Sequence, residues 1–205
     1  MNGKTGDIHA DFRGPLRPMR WAVAAVAAAL IVSPGRLVAC VAARPGAEIA
    51  VLVADLGDST VQVDGRFVIR APLAVAWDVL SDYEHLTTFV CSMRESRVDS
   101  HAGPSLVVRQ RFTGRLLWLE RSFNVQLSIR EEPQRSIAFR DLSHADFERY
   151  EGTWTLLETE EGVEVTYRLT VKGGLVGLAT KSPARRMAKE LLAQLRTEIG
   201  RRSSS

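Results

Sequence analysis

Apolar and polar residues alternate along most of the chain after residue 60, and this period of two predicts strands that bury one face. The predicted strands cover residues 61–69, 106–112, 117–129, 137–141, 145–157 and 163–171. The parity of the apolar positions switches between Phe147 and Tyr150, so we expect a β-bulge there. Turns are predicted at Glu131–Gln134 and Glu160–Gly162. Since antiparallel sheets commonly bury a single face, the pattern indicates one sheet with one covered side.

A helical period replaces this alternation in three segments. Residues 73–83 predict a helix whose inward positions are Val75, Trp77 (or Val79) and Leu80. Residues 85–90 predict a second short helix or a turn directly after it. The last helix is predicted over 183–201, and it would be near 28 Å long at about 1.5 Å per residue. Its apolar positions recur at steps of three and four: Ala184, Met187, Ala188, Leu191, Leu195 and Ile199.

The order of these elements predicts an α+β fold. A curved antiparallel sheet of six to seven strands would surround the long C-terminal helix, with two short helices after the first strand. One helix is about 10 Å wide and cannot fill the concave side of such a sheet. We therefore expect either large side chains or a ligand cavity between the sheet and the helix.

The first 43 residues predict a signal peptide or an N-terminal membrane anchor. Three arginines precede the apolar run Trp21–Val32, which has the length of a signal-peptide core and is shorter than the ~20 residues of a membrane span. Three alternatives remain open: cleavage after Val41-Ala42-Ala43, lipidation of Cys40 in the lipobox-like Leu37–Cys40, and an uncleaved anchor. Each would export the domain, to the periplasm or to the outer side of the inner membrane, if its orientation follows the N-terminal positive charges.

The domain that follows carries balanced charge. Of the 27 basic and 24 acidic residues, five basic and two acidic ones lie in 1–43, which leaves 22 of each sign in 44–205. The basic footprint of a nucleic-acid-binding protein is therefore missing. We predict a linker, or an extra edge element of the sheet, at 44–58 and one ligand-binding domain over 59–202.

Cysteine and histidine residues are few, and none of them has metal-ligand spacing. We therefore expect no metal and no cofactor, apart from a quinone or lipid bound as the ligand. If Cys40 is removed or lipidated, Cys91 has no partner for a disulfide within the chain.

Several short motifs, in order, carry a family resemblance. They are Phe67–Pro72, Val75–Glu84, Phe89-Val90, Val108–Gln110, Asp146-Phe147 with Gly152–Trp154, and Glu198-Ile199 with Arg201-Arg202. Over about 60–202 the chain resembles the START-like (SRPBCC) superfamily of polyketide cyclases/dehydrases and lipid-transport proteins. It is most similar to the coenzyme-Q-binding START-domain branch, although Cys91 replaces a usual proline near the pocket mouth. The resemblance implies a helix-grip fold and an apolar ligand.

Inward-facing residues are the candidates for a ligand site. Large side chains would form pocket walls, with plain core packing as the alternative: Trp77, Phe89, Phe112, Phe139, Trp154, Tyr167 and Met187. The polar candidates are Gln110, Arg121 and Asp141, and burial of an unpaired charge is very costly. Three alternatives remain open for them. The three side chains bind the polar head of a ligand, or Arg121 and Asp141 pair with each other, or the strands end there and the side chains are solvated at a rim. Trp118 has the opposite parity and is expected to face outward.

No catalytic constellation stands out, and we assign no catalytic residue. His85 and His144 lack visible partners, and Cys91 would act as a nucleophile only beside an ordered base. We therefore expect binding or carriage of an isoprenoid quinone or a lipid, with a membrane surface as a possible second partner. The alternative is a polyketide cyclase or dehydratase in which Arg121 and Gln110 polarise a carbonyl. An interaction module is disfavoured by the export segment and the neutral charge.

Overall fold

The computed structural model describes residues 48–102, 105–116, 119–173 and 181–204. The predicted export segment, with Cys40, and the hairpin residues Leu117 and Trp118 lie outside the described residues. The strands are β1 (Ala50–Gly57), β2 (Thr60–Ile69), β3 (Met93–Ala102), β4 (Ser105–Leu116), β5 (Leu119–Glu132), β6 (Ser136–Asp141), β7 (Arg149–Thr159) and β8 (Gly162–Lys172). The helices are α1 (Leu73–Leu80), α2 (Leu86–Phe89) and α3 (Lys181–Ser203), with a 3₁₀ turn at Tyr83–His85 before α2.

All eight strands form one antiparallel sheet in the order β1-β2-β8-β7-β6-β5-β4-β3. The sheet curves around α3, so the predicted helix-grip fold is confirmed. The predicted count of six to seven strands is too low, since the sheet has eight. The strand segments predicted from the sequence include neither edge strand, β1 or β3.

The two edge strands escaped the pattern for different reasons. Pairing between β3 and β4 shifts register twice, at Met93/Glu95 and at Val98/Ser100, and each irregularity resets the alternation of faces. Residues 50–57 belong to the predicted linker, and the alternative of an extra edge element is the correct one. In β1 the sequence does not alternate between apolar and polar residues, because the apolar Leu52 and Leu56 lie on the exposed face.

The segment between β6 and β7 differs from the prediction. Residues 142–148 form a loop, whereas the parity switch had predicted a bulge inside a continuous strand. Phe147 is buried although it lies in this loop, and Tyr150 is the second residue of β7. The predicted turn before Gly162 is confirmed, because Thr159 pairs with Gly162 across it.

Helix α1 ends at Leu80, three residues before the predicted end. Its buried positions are Ala76, Val79 and Leu80. Trp77 is only partly buried, so of the two alternatives for the inward position the structure selects Val79.

Helix α3 lies across the concave face of the sheet and packs closely against β2. A Cβ atom added to Gly65 would lie 2.5 Å from Cδ1 of Leu192, so the absence of a side chain at Gly65 permits this approach. Leu192 is completely buried, although the predicted apolar stripe of the helix did not include it. Within the described ranges, no helix has the length and apolar character needed to cross a membrane.

An ion-pair cluster joins the C-terminal end of α3 to the start of the 3₁₀ turn. Glu198 accepts hydrogen bonds from Arg201 and Arg202, each at 2.7 Å from Oε1. Arg202 Nη2 also donates to Asp82 Oδ2 at 2.8 Å, and its guanidinium lies 5.4 Å from the centroid of the Phe89 ring. The hydrogen bond from Arg201 is the main reason that the pKa of Glu198 is lowered. Burial raises the pKa of Asp82, but hydrogen bonds from His85 and Arg202 outweigh it and leave the pKa below its usual value.

We expect this cluster to make the protein less stable in acid. A carboxyl whose pKa is depressed by folding stabilises the fold above its unfolded pKa, about 4, and loses that contribution as the pH falls through the folded pKa. Replacing Arg202 with glutamine should therefore lower stability at pH 7 and flatten the decline below pH 4. Urea unfolding of the wild type and variant across this range measures both effects. Arg135→Gln is the control, since its exposed pair with Glu132 spans 3.7 Å, and an equal change in slope in that variant would contradict the assignment.

Candidate ligand-binding cavity

A cavity of about 480 Å³ lies between the concave face of the sheet and α3. This volume falls in the range of roughly 300–1,000 Å³ that is usual for small-molecule sites. Strands β2 to β8 and α3 contribute to its wall. The cavity exists because one helix does not cover the whole sheet: Leu192 packs over Gly65, whereas Met187 and Leu191 line the space beyond.

Aromatic rings form a continuous part of this wall. Its members are Phe112, Phe123, Phe139, Phe147, Tyr150, Trp154 and Tyr167. The closest pair is Trp154 and Tyr167, with ring centroids 4.2 Å apart, and successive contacts link them through Phe139 and Tyr150 to Phe147. Flat, conjugated molecules pack well against rings in such offset arrangements.

Two polar side chains of the wall are committed to partners in the protein. Gln110 is buried and its Nε2 donates to Ser96 Oγ at 3.2 Å. The Tyr83 hydroxyl donates to Glu131 Oε1 at 2.6 Å. Among the described residues, no fully buried side-chain nitrogen or oxygen lacks a hydrogen-bond partner.

Tyr150 and Tyr167 bring two further hydroxyls to the cavity. Burial raises the pKa of Tyr150 to about 12, with the negative charge of Asp141 adding to the rise and the hydrogen bond from Tyr167 opposing it. Burial raises the pKa of Tyr167 well above its usual value, and the neighbouring Tyr150 contributes. Both side chains are therefore neutral at physiological pH and can donate a hydrogen bond.

Charged side chains occur only at the mouth of the cavity, as far as the described residues show. These are Glu120, Arg186 and Glu190, whose side chains are 52%, 55% and 63% exposed. The mouth lies where the first turns of α3 meet the β4–β5 hairpin, since Met187 Cε would be 2.8 Å from a Cβ atom on Gly114. The interior is consequently neutral.

Six of the nine predicted ligand-binding residues line the cavity, and three do not. The six are Gln110, Phe112, Phe139, Trp154, Tyr167 and Met187. Trp77 packs on the core from α1, and Phe89 lies under the guanidinium of Arg202. Arg121 is also outside the wall. Whether the six bind a ligand stays a prediction.

Arg121 and Asp141 do not form the predicted ion pair. Arg121 is 48% exposed, and its Nη2 lies 3.8 Å from Oδ1 of Asp146. It shares the parity of the buried Phe123 but stands near the end of the β4–β5 hairpin, at a solvated rim. Asp141 is buried and not solvated at a rim, and its carboxylate accepts hydrogen bonds from the backbone of Gln126, Ser143 and His144 and from the Ser143 hydroxyl. Asp141 therefore shapes the β6–β7 loop.

The remaining reactive side chains form no catalytic arrangement in the described part of the chain. His85 Nδ1 lies 2.6 Å from Asp82 Oδ1, and His144 Nδ1 lies 3.1 Å from the carbonyl oxygen of Glu148, both at exposed positions outside the cavity wall. Cys91 lines the cavity but is disulfide-bonded, which excludes it as a nucleophile. No cluster of three or more His, Cys, Asp or Glu side chains among the described residues is placed to hold a metal.

Sequence reasoning did not name several residues of the wall as site residues. Phe123 and Tyr150 were recognised as apolar strand positions, and their parity was the signal that could have placed them in the site. Phe147 and Tyr83 lie in irregular segments, where the pattern had predicted a strand over 145–157 and a helix over 73–83, so periodicity could not place them in the wall. Cys91 and Gln194 are brought together by a hydrogen bond from the backbone of Cys91 to Gln194 Oε1 at 3.1 Å.

Comparisons with known proteins agree with this architecture. Residues 60–200 match the family described as polyketide cyclase / dehydrase and lipid transport. The fold is similar to that of a STAR-related lipid transfer protein from Xanthomonas axonopodis, with 17% identity, a TM-score of 0.58, and coverage of 76% of this chain and 99% of that one. It is also similar to human STARD10, with 13% identity, a TM-score of 0.59, and coverage of 78% and 71%.

A third similar structure is a larger protein. The di-domain ARO/CYC StfQ from the steffimycin biosynthetic pathway is 12% identical, with a TM-score of 0.57, and the match covers 72% of this chain and 53% of StfQ. No curated protein sequence matches the chain. At these identities the structural likenesses show the fold, and the family match indicates hydrophobic ligand binding or polyketide cyclase-type chemistry.

Proposed function

We propose that this chain, which belongs to the polyketide cyclase/dehydrase and lipid transport family, binds and carries a hydrophobic ligand between the sheet and α3. The ligand would be an isoprenoid quinone or a lipid. The observation that carries the proposal is the neutral, largely apolar interior of the cavity. Active sites tend to gather ionisable side chains with perturbed pKa values around the reacting atoms. Among the described lining residues, the charged ones stand at the solvated mouth, and the ionisable side chains with shifted pKa values inside it are tyrosines, which burial keeps neutral.

The size of the cavity supports useful affinity without any charged contact. A ligand that buries about 300 Å² of apolar surface gains roughly 7 kcal/mol at about 25 cal/mol per Å². The loss of translational and rotational freedom on binding reduces this gain. The aromatic wall favours the ring of a quinone, and the name of the Xanthomonas protein, a STAR-related lipid transfer protein, supports a lipid.

The alternative is a polyketide cyclase or dehydratase, and the name of StfQ supports it. The predicted mechanism needed Arg121 and Gln110 to polarise a carbonyl. Arg121 lies outside the cavity wall, and the Gln110 amide donates to Ser96. An enzyme of this kind would depend instead on holding a flexible substrate in a reactive shape.

We also propose that the protein acts outside the cytoplasm, with the cavity mouth near a membrane surface. Disulfides such as that of Cys91 persist in oxidising compartments. Exposed basic residues on α3 near the mouth would attract anionic lipids: Lys181, Arg185, Arg186 and Lys189.

The test is purification of the native protein from its own host, followed by mass spectrometry of an organic extract. We expect a stoichiometric quinone or lipid, recovered from the membrane or periplasmic fraction. Leu191→Trp should abolish copurification because the new ring fills the cavity, whereas Lys189→Trp, exposed on the same helix, should not. An empty wild-type protein that converts an added polyketide would support the cyclase, and retention in the cytoplasm would contradict the proposed location.

A further inference from the structure

We propose that the side-chain amide of Gln110 accepts a hydrogen bond from a hydroxyl group of the ligand, so that the cavity selects a hydrophobic alcohol or phenol. This inference rests on the proposed function and adds the chemical class of the ligand. Among the ligands proposed above, the reduced form of a quinone and a lipid with a free hydroxyl have this chemistry. The position of Gln110 also gives the ligand a direction, with its hydroxyl inside the cavity and its apolar part toward the mouth.

The side chain of Gln110 lies on the concave face of the sheet. Gln110 belongs to β4 and lines the cavity, and 9% of its surface is exposed. Its cross-strand partners are Ser96 on β3 and Val125 on β5, which are both buried. The residues two positions away along β4 are the buried Val108 and the cavity-lining Phe112, and they share its face because side chains alternate along a strand. The amide therefore stands among side chains that are mostly apolar.

The nitrogen of this amide has a partner in the protein, and the oxygen does not. Gln110 Nε2 donates to Ser96 Oγ at 3.2 Å, whereas no group of the described residues donates to Gln110 Oε1. Every fully buried side-chain oxygen in the described part of the chain has a partner, so Oε1 is accessible, and the free space that Gln110 borders is the cavity. A hydroxyl can donate to this oxygen, whereas an ether or a ketone would leave it unpaired.

The surroundings of Gln110 favour a neutral group over an ionised one. Arg109 and Arg111 are its neighbours in sequence, but their side chains are half exposed on the opposite face of β4. Among the described lining residues, the charged ones stand at the solvated mouth. An ionised group of the ligand at Gln110 would be buried without a countercharge, which is strongly unfavourable. A hydroxyl donates to the amide oxygen without that cost.

The distance from Gln110 to the mouth determines which end of the ligand enters first. Gly114 marks the mouth, because Met187 from the start of α3 lies against it. Gln110 precedes Gly114 by four residues on β4, which at about 3.3 Å per residue places it roughly 13 Å farther along the strand. The rings of Phe112 and its cross-strand partner Phe123 line the cavity between the two positions. A ligand with its hydroxyl at Gln110 would thus extend along these rings toward the mouth.

Three uncharged probes with the same ring system test the inference on the full chain at pH 7: naphthol, methoxynaphthalene and methylnaphthalene. Gln110→Met keeps the length of the side chain and removes the amide. It should weaken naphthol about tenfold, the equivalent of one hydrogen bond, and leave the other two unchanged, because they have no hydrogen to donate. The double variant Ser96→Ala/Gln110→Met leaves no partner unpaired, which protects the fold, and it should give the same result.

Gln194→Met is the matched control, since it removes another amide of the cavity wall. The Oε1 atom of Gln194 already accepts a hydrogen bond from the backbone of Cys91 at 3.1 Å. This variant should therefore affect the three probes alike and keep their relative affinities.

The outcomes separate the inference from the function on which it rests. Unchanged naphthol binding in both Gln110 variants, or equal losses for naphthol and methylnaphthalene, would overturn the recognition role and leave the carrier function standing. Equal losses for naphthol and methoxynaphthalene alone would show that the amide donates to the ligand, and would overturn the selection of a hydroxyl. If none of the probes binds the folded wild type, both the proposed function and the inference fail. Unchanged methylnaphthalene binding also shows that a variant is folded.

Discussion

Replacing Leu192 with alanine should lower the free energy of unfolding by about 2–5 kcal/mol, the usual cost of emptying a buried leucine site. Leu192 is completely buried and packs over Gly65, where α3 comes closest to β2. The surroundings cannot collapse into the vacated space without moving the whole helix toward the sheet. Urea unfolding at neutral pH gives the difference directly.

Leu191→Ala is the matched control, since the same truncation is made one residue earlier on α3. Leu191 is partly buried and lines the cavity, so its removal enlarges a space that already exists. We expect a loss of less than about 1.5 kcal/mol, together with a change in ligand affinity that Leu192→Ala does not produce. Equal destabilisation by the two substitutions would show that the cavity is not formed as described.

Replacing Asp141 with alanine should cost about 3 kcal/mol or more, because four donors lose their acceptor at once. Three of these donors are backbone amides, of Gln126, Ser143 and His144, and they hold the β6–β7 loop against β5. Because the same loop carries the buried Phe147 to the cavity wall, we expect weaker ligand binding as well. Thermal unfolding and a binding titration of one preparation measure both effects.

Two variants show whether the carboxylate itself is responsible. Asp141→Asn keeps one acceptor oxygen and should recover part of the stability. Asp146→Ala removes a neighbouring carboxylate that accepts from the backbone and side chain of Asn124, at 2.7 and 3.3 Å, and it should cost less because fewer donors depend on it. An Asp141→Ala protein as stable as the wild type would refute the loop-shaping role.

The alternation of residues predicted most of the sheet because it is a local property of each strand. From Val163 to Val171 the side chains alternate between the two faces whatever covers them, and the structure buries Val163, Val165, Tyr167 and Val171. The same reasoning failed for β3, whose register shifts break the period. It also failed for β1, where the exposed Leu52 and Leu56 remove the contrast between the faces.

Parity identified the face of the sheet but not what lies above each position. Arg121 and Phe123 point to the same side of β5, yet Phe123 is buried in the cavity wall and Arg121 stands at the rim. The difference depends on where α3 and the β6–β7 loop end over the strand. Tyr83 and Phe147 show the converse, since they reach the cavity from a 3₁₀ turn and a loop, where the predicted helical and strand periods do not hold.

The sequence by itself determined the order of the main elements, the face that each regular strand turns inward and the single covered side of the sheet, because these follow from contacts between residues close in the chain. The tertiary structure decided which inward residues pack as core and which border a cavity. That choice follows from the distance between α3 and the sheet, which is set by the contact of Leu192 with Gly65, far apart in sequence. Leu191 and Leu192 are adjacent and chemically identical. Only this packing determines that Leu191 lines the cavity and Leu192 is buried in the core.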